Sequence, residues 1–195
     1  LAACAQLAAL PADRLPDGAH PHVGVLLENT PEYAMWLGAA ILSGSTVVGI
    51  NQTRRGEELA RDVRHADCAL VVTDSAVAPL PPGLDLGAAT DPVIVSDSPD
   101  YAELLAPYAG APVPDVDIDP AQLLLLLFTS GTSGTPKAVR CTQGRLAGIS
   151  LAVTQMFSLT PDDVCYIAMP MFHSNALMAG WGPSVAAGAT AALRR

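Results

Sequence analysis

Val23-Gly-Val-Leu-Leu-Glu-Asn-Thr-Pro-Glu-Tyr-Ala-Met-Trp-Leu-Gly-Ala-Ala-Ile-Leu-Ser-Gly-Ser-Thr-Val-Val-Gly-Ile50 decides the fold class, because it holds a strand, a helix and a second strand with little chain between them. Residues 23–27 form an apolar run of strand length. Thr30 suits a helix N-cap and Pro31 the first helical position. Tyr33, Trp36, Leu37, Ala40 and Ile41 then recur at i, i+3, i+4, i+7 and i+8, the spacing of one buried helical face. Ser43-Gly44 stops that helix, and residues 46–50 are strand formers. A second helix is expected over residues 57–66, with Leu59, Val63 and Ala66 on one side, and residues 69–73 close the unit as a strand. Strand, helix, strand, helix, strand with short links predicts an α/β fold, a parallel-type sheet in layers with flanking helices.

Outward from this unit, residues 74–120 break the rhythm. They hold nine of the seventeen prolines. Ten of the nineteen acids fall between Asp67 and Asp119, where there is no Lys or Arg. Apart from a short strand at residues 93–95, this span reads as irregular surface chain, an acidic, Pro-rich connection inside a larger domain. Order returns at Gln122. Residues 123–128 form a buried strand, 138–140 a return strand, 144–157 a helix, 164–168 a strand, 175–187 a helix and 189–193 a final strand. The chain thus divides into a βαβαβ unit (1–73), a connection (74–120) and a second unit (121–195). No internal repeat is present.

At 195 residues, half of them apolar and 15% charged, the chain can bury a sizeable core. It begins at Leu1 and stops at Arg194-Arg195 directly after an apolar run, and is expected to be a segment of something longer. The net charge of −9 argues against a nucleic-acid partner, since phosphate backbones call for clustered Lys and Arg. Cys4, Cys68, Cys141 and Cys165 form no CxxC pair, so neither a zinc site nor a compact disulfide framework is expected. Neither is a metal at the His20-Pro-His22 pair, which has no Cys or acid cluster beside it. The first residues lack a basic region before their apolar stretch, as a signal peptide would have. The greasy run at 123–128 is far below the roughly 20 residues of a spanning helix. Reduced thiols and these absences together point to the cytoplasm.

The strand at 123–128 runs into Thr129-Ser-Gly-Thr-Ser-Gly-Thr-Pro-Lys137, in which seven of nine residues are Thr, Ser or Gly. Such a loop offers hydroxyls, approachable backbone N–H groups and one cation, the groups that hold polyphosphate oxygens. Lys137 is the only lysine beside nine arginines, and a compact ammonium suits a phosphate as a point charge. On composition alone the same stretch is also a flexible turn with an exposed lysine. Its setting between two β-like runs favours a ligand loop at a strand end. It is not a Walker A loop, because Pro136 precedes the lysine, Ala138 follows it, and no helix opens there. GxGxxG is absent after the first strand, which disfavours a dinucleotide oxidoreductase.

Phe128-Thr-Ser-Gly-Thr-Ser-Gly-Thr-Pro-Lys-Ala-Val139 resembles the phosphate-binding signature of the adenylate-forming superfamily, which includes acyl-CoA synthetases, firefly luciferase and peptide-synthetase adenylation domains. Ser133 stands where Thr is usual and keeps the hydroxyl. Ala138 stands where Gly is usual, as in the fatty-acid transport type of ligase. Met169-Pro-Met-Phe-His-Ser-Asn175 resembles the family's Pro-x-Phe-His segment, which implies that His173 lies at the acyl-substrate and adenylate pocket; alone, such a histidine is more often structural. A weaker likeness to long-chain fatty-acyl ligases covers Gly49-Ile-Asn-Gln-Thr-Arg-Arg-Gly-Glu-Glu-Leu59 and continues to Thr73.

The resemblance implies an incomplete N-terminal large domain of an acid–CoA ligase. In that reaction a carboxylate attacks the α-phosphate of MgATP, pyrophosphate leaves, and the coenzyme A thiol displaces AMP from the acyl-adenylate. It implies Thr129, Ser130, Thr132, Ser133 and Thr135 as hydroxyl donors to ATP, Gly131 and Gly134 as backbone access, Lys137 as countercharge, and His173 as the catalytic-pocket residue. The acid is expected to be a fatty acid, a small-molecule substrate, with peripheral membrane contact and self-association left open. By resemblance, a Thr-Glu that helps place Mg²⁺, a ribose-binding Asp and a second lysine on a small C-terminal domain all lie downstream. Beyond Lys137 this chain has only Asp162 and Asp163 as acids and no lysine, so the polypeptide alone is expected to be inactive. The alternatives are another adenylate-former and a non-catalytic nucleotide-binding module.

Overall fold

The computed structural model describes residues 1–14, 21–77, 83–90, 93–129 and 137–195. Its centre is a six-stranded sheet formed by β1 (His22–Leu26), β2 (Thr46–Gly49), β3 (Cys68–Thr73), β4 (Val93–Val95), β5 (Leu123–Thr129) and β6 (Lys137–Thr142). The spatial order is β4-β3-β1-β2-β5-β6. All neighbours run parallel except β5 and β6, which pair antiparallel. β7 (Val164–Ile167) and β8 (Thr190–Leu193) form a separate parallel pair.

Alternation along the strands explains the layering. Val25, Leu27, Val47, Leu70, Val72, Leu125 and Leu127 belong to one core cluster, while Leu26, Val48, Val71 and Leu126 belong to another. The first is covered by α1 (Ala2–Arg14) and α2 (Pro31–Ser43), through Leu7, Leu10, Tyr33, Trp36 and Leu37. The second is covered by α3 (Gly56–His65), through Leu59, Ala60 and Val63. A sheet buried on both faces has no polar side to expose, hence the uninterrupted run Leu123-Leu-Leu-Leu-Leu127.

Local chemistry sets the ends of α2. The Thr30 hydroxyl accepts from the Tyr33 amide, Pro31 occupies the first turn, and Gly44 closes the helix in the left-handed conformation at φ 74°. α5 (Gln143–Phe157) is capped likewise, by Thr142 accepting from the Arg145 amide.

Two elements correct the expectation from sequence. Within the stretch read as irregular, α4 (Pro99–Leu105) forms behind Ser98, and Tyr101, Leu104, Leu105 and Tyr108 pack against the α1–α2 core. Their i, i+3, i+4, i+7 spacing is helical, but it sits in an acidic, Pro-rich context that masks it. α1 carries Pro11 inside it, and its Ala-rich sequence has little periodicity to read. After α5, the chain passes through β7 to α6 (Ser174–Ala176), a π-helical turn (Leu177–Trp181) and α7 (Gly182–Ala187) before β8.

Candidate functional site

Parallel pairing places the carboxyl ends of β1, β2, β3 and β5 along one edge of the sheet. β2 hands the chain back across β1 to β3, whereas β5 hands it the other way to β6. Connections therefore diverge between β2 and β5, and at such a divergence an open α/β sheet leaves a crevice for a ligand.

Thr129 is the last residue of β5 and Lys137 the first of β6, and the two pair in register. That pair closes the mouth of the Ser/Thr/Gly loop at this edge. Lys137 is exposed. Ser130, Gly131, Thr132, Ser133, Gly134 and Thr135, with the Thr129 hydroxyl, lie outside what the structure describes, as does His20 of the His20-Pro-His22 pair. The His22 Nδ1 is 2.6 Å from the Ala66 carbonyl oxygen.

The other expected site residue reaches the same edge from the two-stranded sheet. Gly49, the last residue of β2, pairs with Leu127, two positions before Thr129. A Cβ at Gly49 would lie 3.1 Å from the Phe172 Cα, 3.1 Å from the Tyr33 hydroxyl oxygen and 2.9 Å from Leu127 Cδ2. Glycine is what lets the Pro-Met-Phe-His segment settle onto the end of β2. Phe172 is buried and His173 exposed, their rings 4.3 Å apart and tilted at 42°. The His173 amide donates to the Pro170 carbonyl at 2.9 Å, closing a turn just before α6. The Phe172 backbone therefore lies at the end of β2, the strand that pairs with β5.

Sequence reasoning gave no role to Asn29, which follows β1 and is 6% exposed. Its Nδ2 donates to the carbonyls of Met169 at 2.9 Å and Ile167 at 3.4 Å, and its Oδ1 accepts from the Met171 amide at 2.7 Å. Nothing local signals this, because the partners lie about 140 residues away. Asn51, after β2, turns its own chain instead, accepting from the Thr53 amide and hydroxyl, each at 2.9 Å. Among the described residues no three His, Cys, Asp or Glu side chains gather to hold a metal ion.

The profile of the AMP-binding enzyme family matches residues 3–195. The chain is 54% identical over 175 residues to a steroid-22-oyl-CoA synthetase from Rhodococcus jostii, covering 89% of this chain and 32% of that protein. It is 44% identical over 191 residues to a medium/long-chain-fatty-acid–CoA ligase, FadD17, from Mycobacterium marinum, covering 98% and 37%. It therefore spans about a third of the length of the curated relatives it matches. Among solved structures, a long-chain-fatty-acid-CoA ligase from Archaeoglobus fulgidus superposes with a TM-score of 0.85 at 23% identity, over 98% of this chain and 37% of that one. The N-terminal domain of FACL13 from Mycobacterium tuberculosis gives 0.79 at 26% identity, over 97% and 48%. With every residue but the first two inside the family profile, the chain belongs to the AMP-binding enzyme family.

Proposed function

We propose that this chain is the polyphosphate-gripping wall of an ATP-dependent ligase that activates a hydrophobic carboxylic acid, of the fatty-acid kind, to an acyl-adenylate and then to acyl-CoA. The observation that carries the reading is that Phe172 packs on the end of β2, whose neighbour β5 runs into the Thr129–Lys137 loop. Family membership supports it.

In this reading the protein supplies position and charge. The hydroxyls of Thr129, Ser130, Thr132, Ser133 and Thr135 and the amides around Gly131 and Gly134 receive phosphate oxygens. Lys137 offsets the negative charge that grows as pyrophosphate leaves. His173 faces the acyl-adenylate. Magnesium, bound with the nucleotide, would neutralise phosphate charge; by resemblance the Thr-Glu that helps place it lies downstream of this chain. Coenzyme A is the thiol acceptor of the second step.

The 54% identity to a steroid-22-oyl-CoA synthetase favours a second reading of the acid as a steroid side-chain carboxylate. Both acids are apolar with one terminal carboxylate, and the pyrophosphate-exchange rates of the longer enzyme with each would separate them. The 195 residues alone are expected to leave ATP–pyrophosphate exchange at background, and turnover well above it would sink that part of the proposal.

The grip is tested by titrating MgATP into wild type and Lys137→Ala. Loss of one charge-assisted phosphate contact, about 1.5–3 kcal/mol, predicts affinity falling by roughly tenfold or more. Equal affinities would remove Lys137 from the site and favour a module that does not use this loop for nucleotide. If an amino acid rather than a fatty or steroid acid drives exchange, the enzyme is an adenylate-former of the peptide-synthetase kind.

A further inference from the structure

We propose that Asn29 is the positioning residue for the segment that presents His173, a role that rests on reading that segment as the acid-facing wall. The whole carboxamide of Asn29 is spent on backbone groups of one distant stretch. Its donor end serves the carbonyls of Ile167 and Met169, and its acceptor end takes the Met171 amide at 2.7 Å. These are the groups that a neighbouring strand would satisfy, so the side chain acts as one residue's worth of sheet between β1 and the chain leaving β7. A carboxamide carries a donor and an acceptor at the ends of one short planar group without needing a proton taken up or lost. An aspartate keeps the acceptor and loses the donor; a leucine keeps neither.

The consequence falls on the two residues that follow. With the Met171 amide held, the Phe172 backbone sits against Gly49, where an added methyl group would lie 3.1 Å from the Phe172 Cα and 3.1 Å from the Tyr33 hydroxyl oxygen. The turn from the His173 amide to Pro170 then sets where the imidazole leaves the surface. Phe172 flanks the ring at 4.3 Å. Asn29 itself touches neither loop residue 129 nor Lys137 in any hydrogen bond, so its effect on the site runs through residues 167–173 alone.

That separation gives the test. Wild type, Asn29→Leu and Asn29→Asp are titrated with MgATP and, separately, with dodecanoyl sulfamoyl-adenosine as a stable acyl-adenylate mimic. Amide hydrogen exchange is followed at Met171 and His173. Asn29→Leu is expected to leave MgATP affinity within about twofold and to weaken the mimic about tenfold or more, since small displacements of a positioned group carry penalties of that order. Exchange at Met171 is expected to speed by at least roughly tenfold relative to the β1 amides. Val25→Ala, a core truncation in β1, is the control for lost stability: below its melting temperature it moves neither affinity. An Asn29→Leu chain that holds the mimic as tightly as wild type, or that loses MgATP equally, overturns the proposal. Should the leucine variant fail to fold, Asn29→Asp decides it, with Met171 protection largely kept and the mimic weakened. If wild type binds neither ligand, the functional reading fails, and the Met171 exchange rate still decides whether Asn29 holds the segment.

Discussion

Lys137 stands exposed at the start of β6, whereas Asp62 is enclosed in the packed face of α3 with neither carboxylate oxygen in a hydrogen bond. Burial raises the Asp62 carboxyl above its ordinary value, and Arg54, with its Nε 3.3 Å away, pulls it back. A raised folded-state value means that the fold prefers the neutral acid. The associated stability is full below the ordinary carboxylate range and is lost as pH rises through the raised value. Arg54→Met removes the nearer of two arginines, leaving Arg61 Nε 4.0 Å from the other carboxylate oxygen, and is expected to cost up to about 3 kcal/mol at neutral pH. That loss should shrink on acidification, as the pH falls through the raised carboxyl value. Asp62→Asn leaves only an arginine that still reaches water, so no such loss is expected in melts at neutral pH; a drop equal to that of Arg54→Met would contradict this account. Residue chemistry was legible in sequence where it was local. The Thr129–Lys137 stretch stands out by seven small residues and the sole lysine. Asp62 looks like any helical surface acid, and Asn29 like any loop asparagine, because burial and partners are set by chain from elsewhere.

Helices and strands were legible in proportion to how much of their signal is periodic. α2 announces itself through Thr30, Pro31 and its apolar stripe, and the structure uses each of them. Thr30→Ala is expected to cost about 1 kcal/mol through the freed Tyr33 amide, a fall of roughly 2–4 °C in melting temperature for a chain of this size. An unchanged melt would mean the cap is idle. α4 was hidden by its acidic, Pro-rich setting and α1 by an Ala-rich sequence with little periodicity; only tertiary packing reveals them. The crossing of α5 and α7 was equally invisible, since it depends on one atom's absence. A Cβ at Gly182 would collide with Ser150 Oγ and lie 2.9 Å from the Leu177 carbonyl oxygen. Gly182→Ala is therefore expected to cost about 1–3 kcal/mol by forcing the helices apart, with the Ser150–Leu146 hydrogen bond of 2.7 Å disturbed first. A melt indistinguishable from wild type would show that this contact yields freely.

At the scale of the whole molecule, the six-stranded sheet is built from strands between His22 and Thr142, while the second sheet has only two strands. Leu151, Met156 and Phe157 of α5, Val164 and Tyr166 of β7 and Val185 of α7 are all largely exposed. Apolar surface of that extent beside unpaired strand edges drives association. The 195-residue chain is expected to sediment as oligomers, and Met156→Glu with Phe157→Glu to reduce them; a monodisperse wild-type monomer would contradict the expectation. No helix among the described residues is long and apolar enough to cross a membrane. The α/β class was legible in the sequence, but not where residues 167–173 pack, because that depends on Gly49 and on Asn29 reaching across the fold. An open apolar groove of about 280 Å³ beside Leu146, Ser150, Trp181 and Val185 is a competing place for a small molecule. The most direct test of the central claim is therefore a map of backbone amide shifts as MgATP is added to the isotope-labelled chain. The account predicts shifts concentrated at residues 129–137, at Gly49 and at Phe172–His173; shifts gathered in the groove instead, with the loop unmoved, would contradict it.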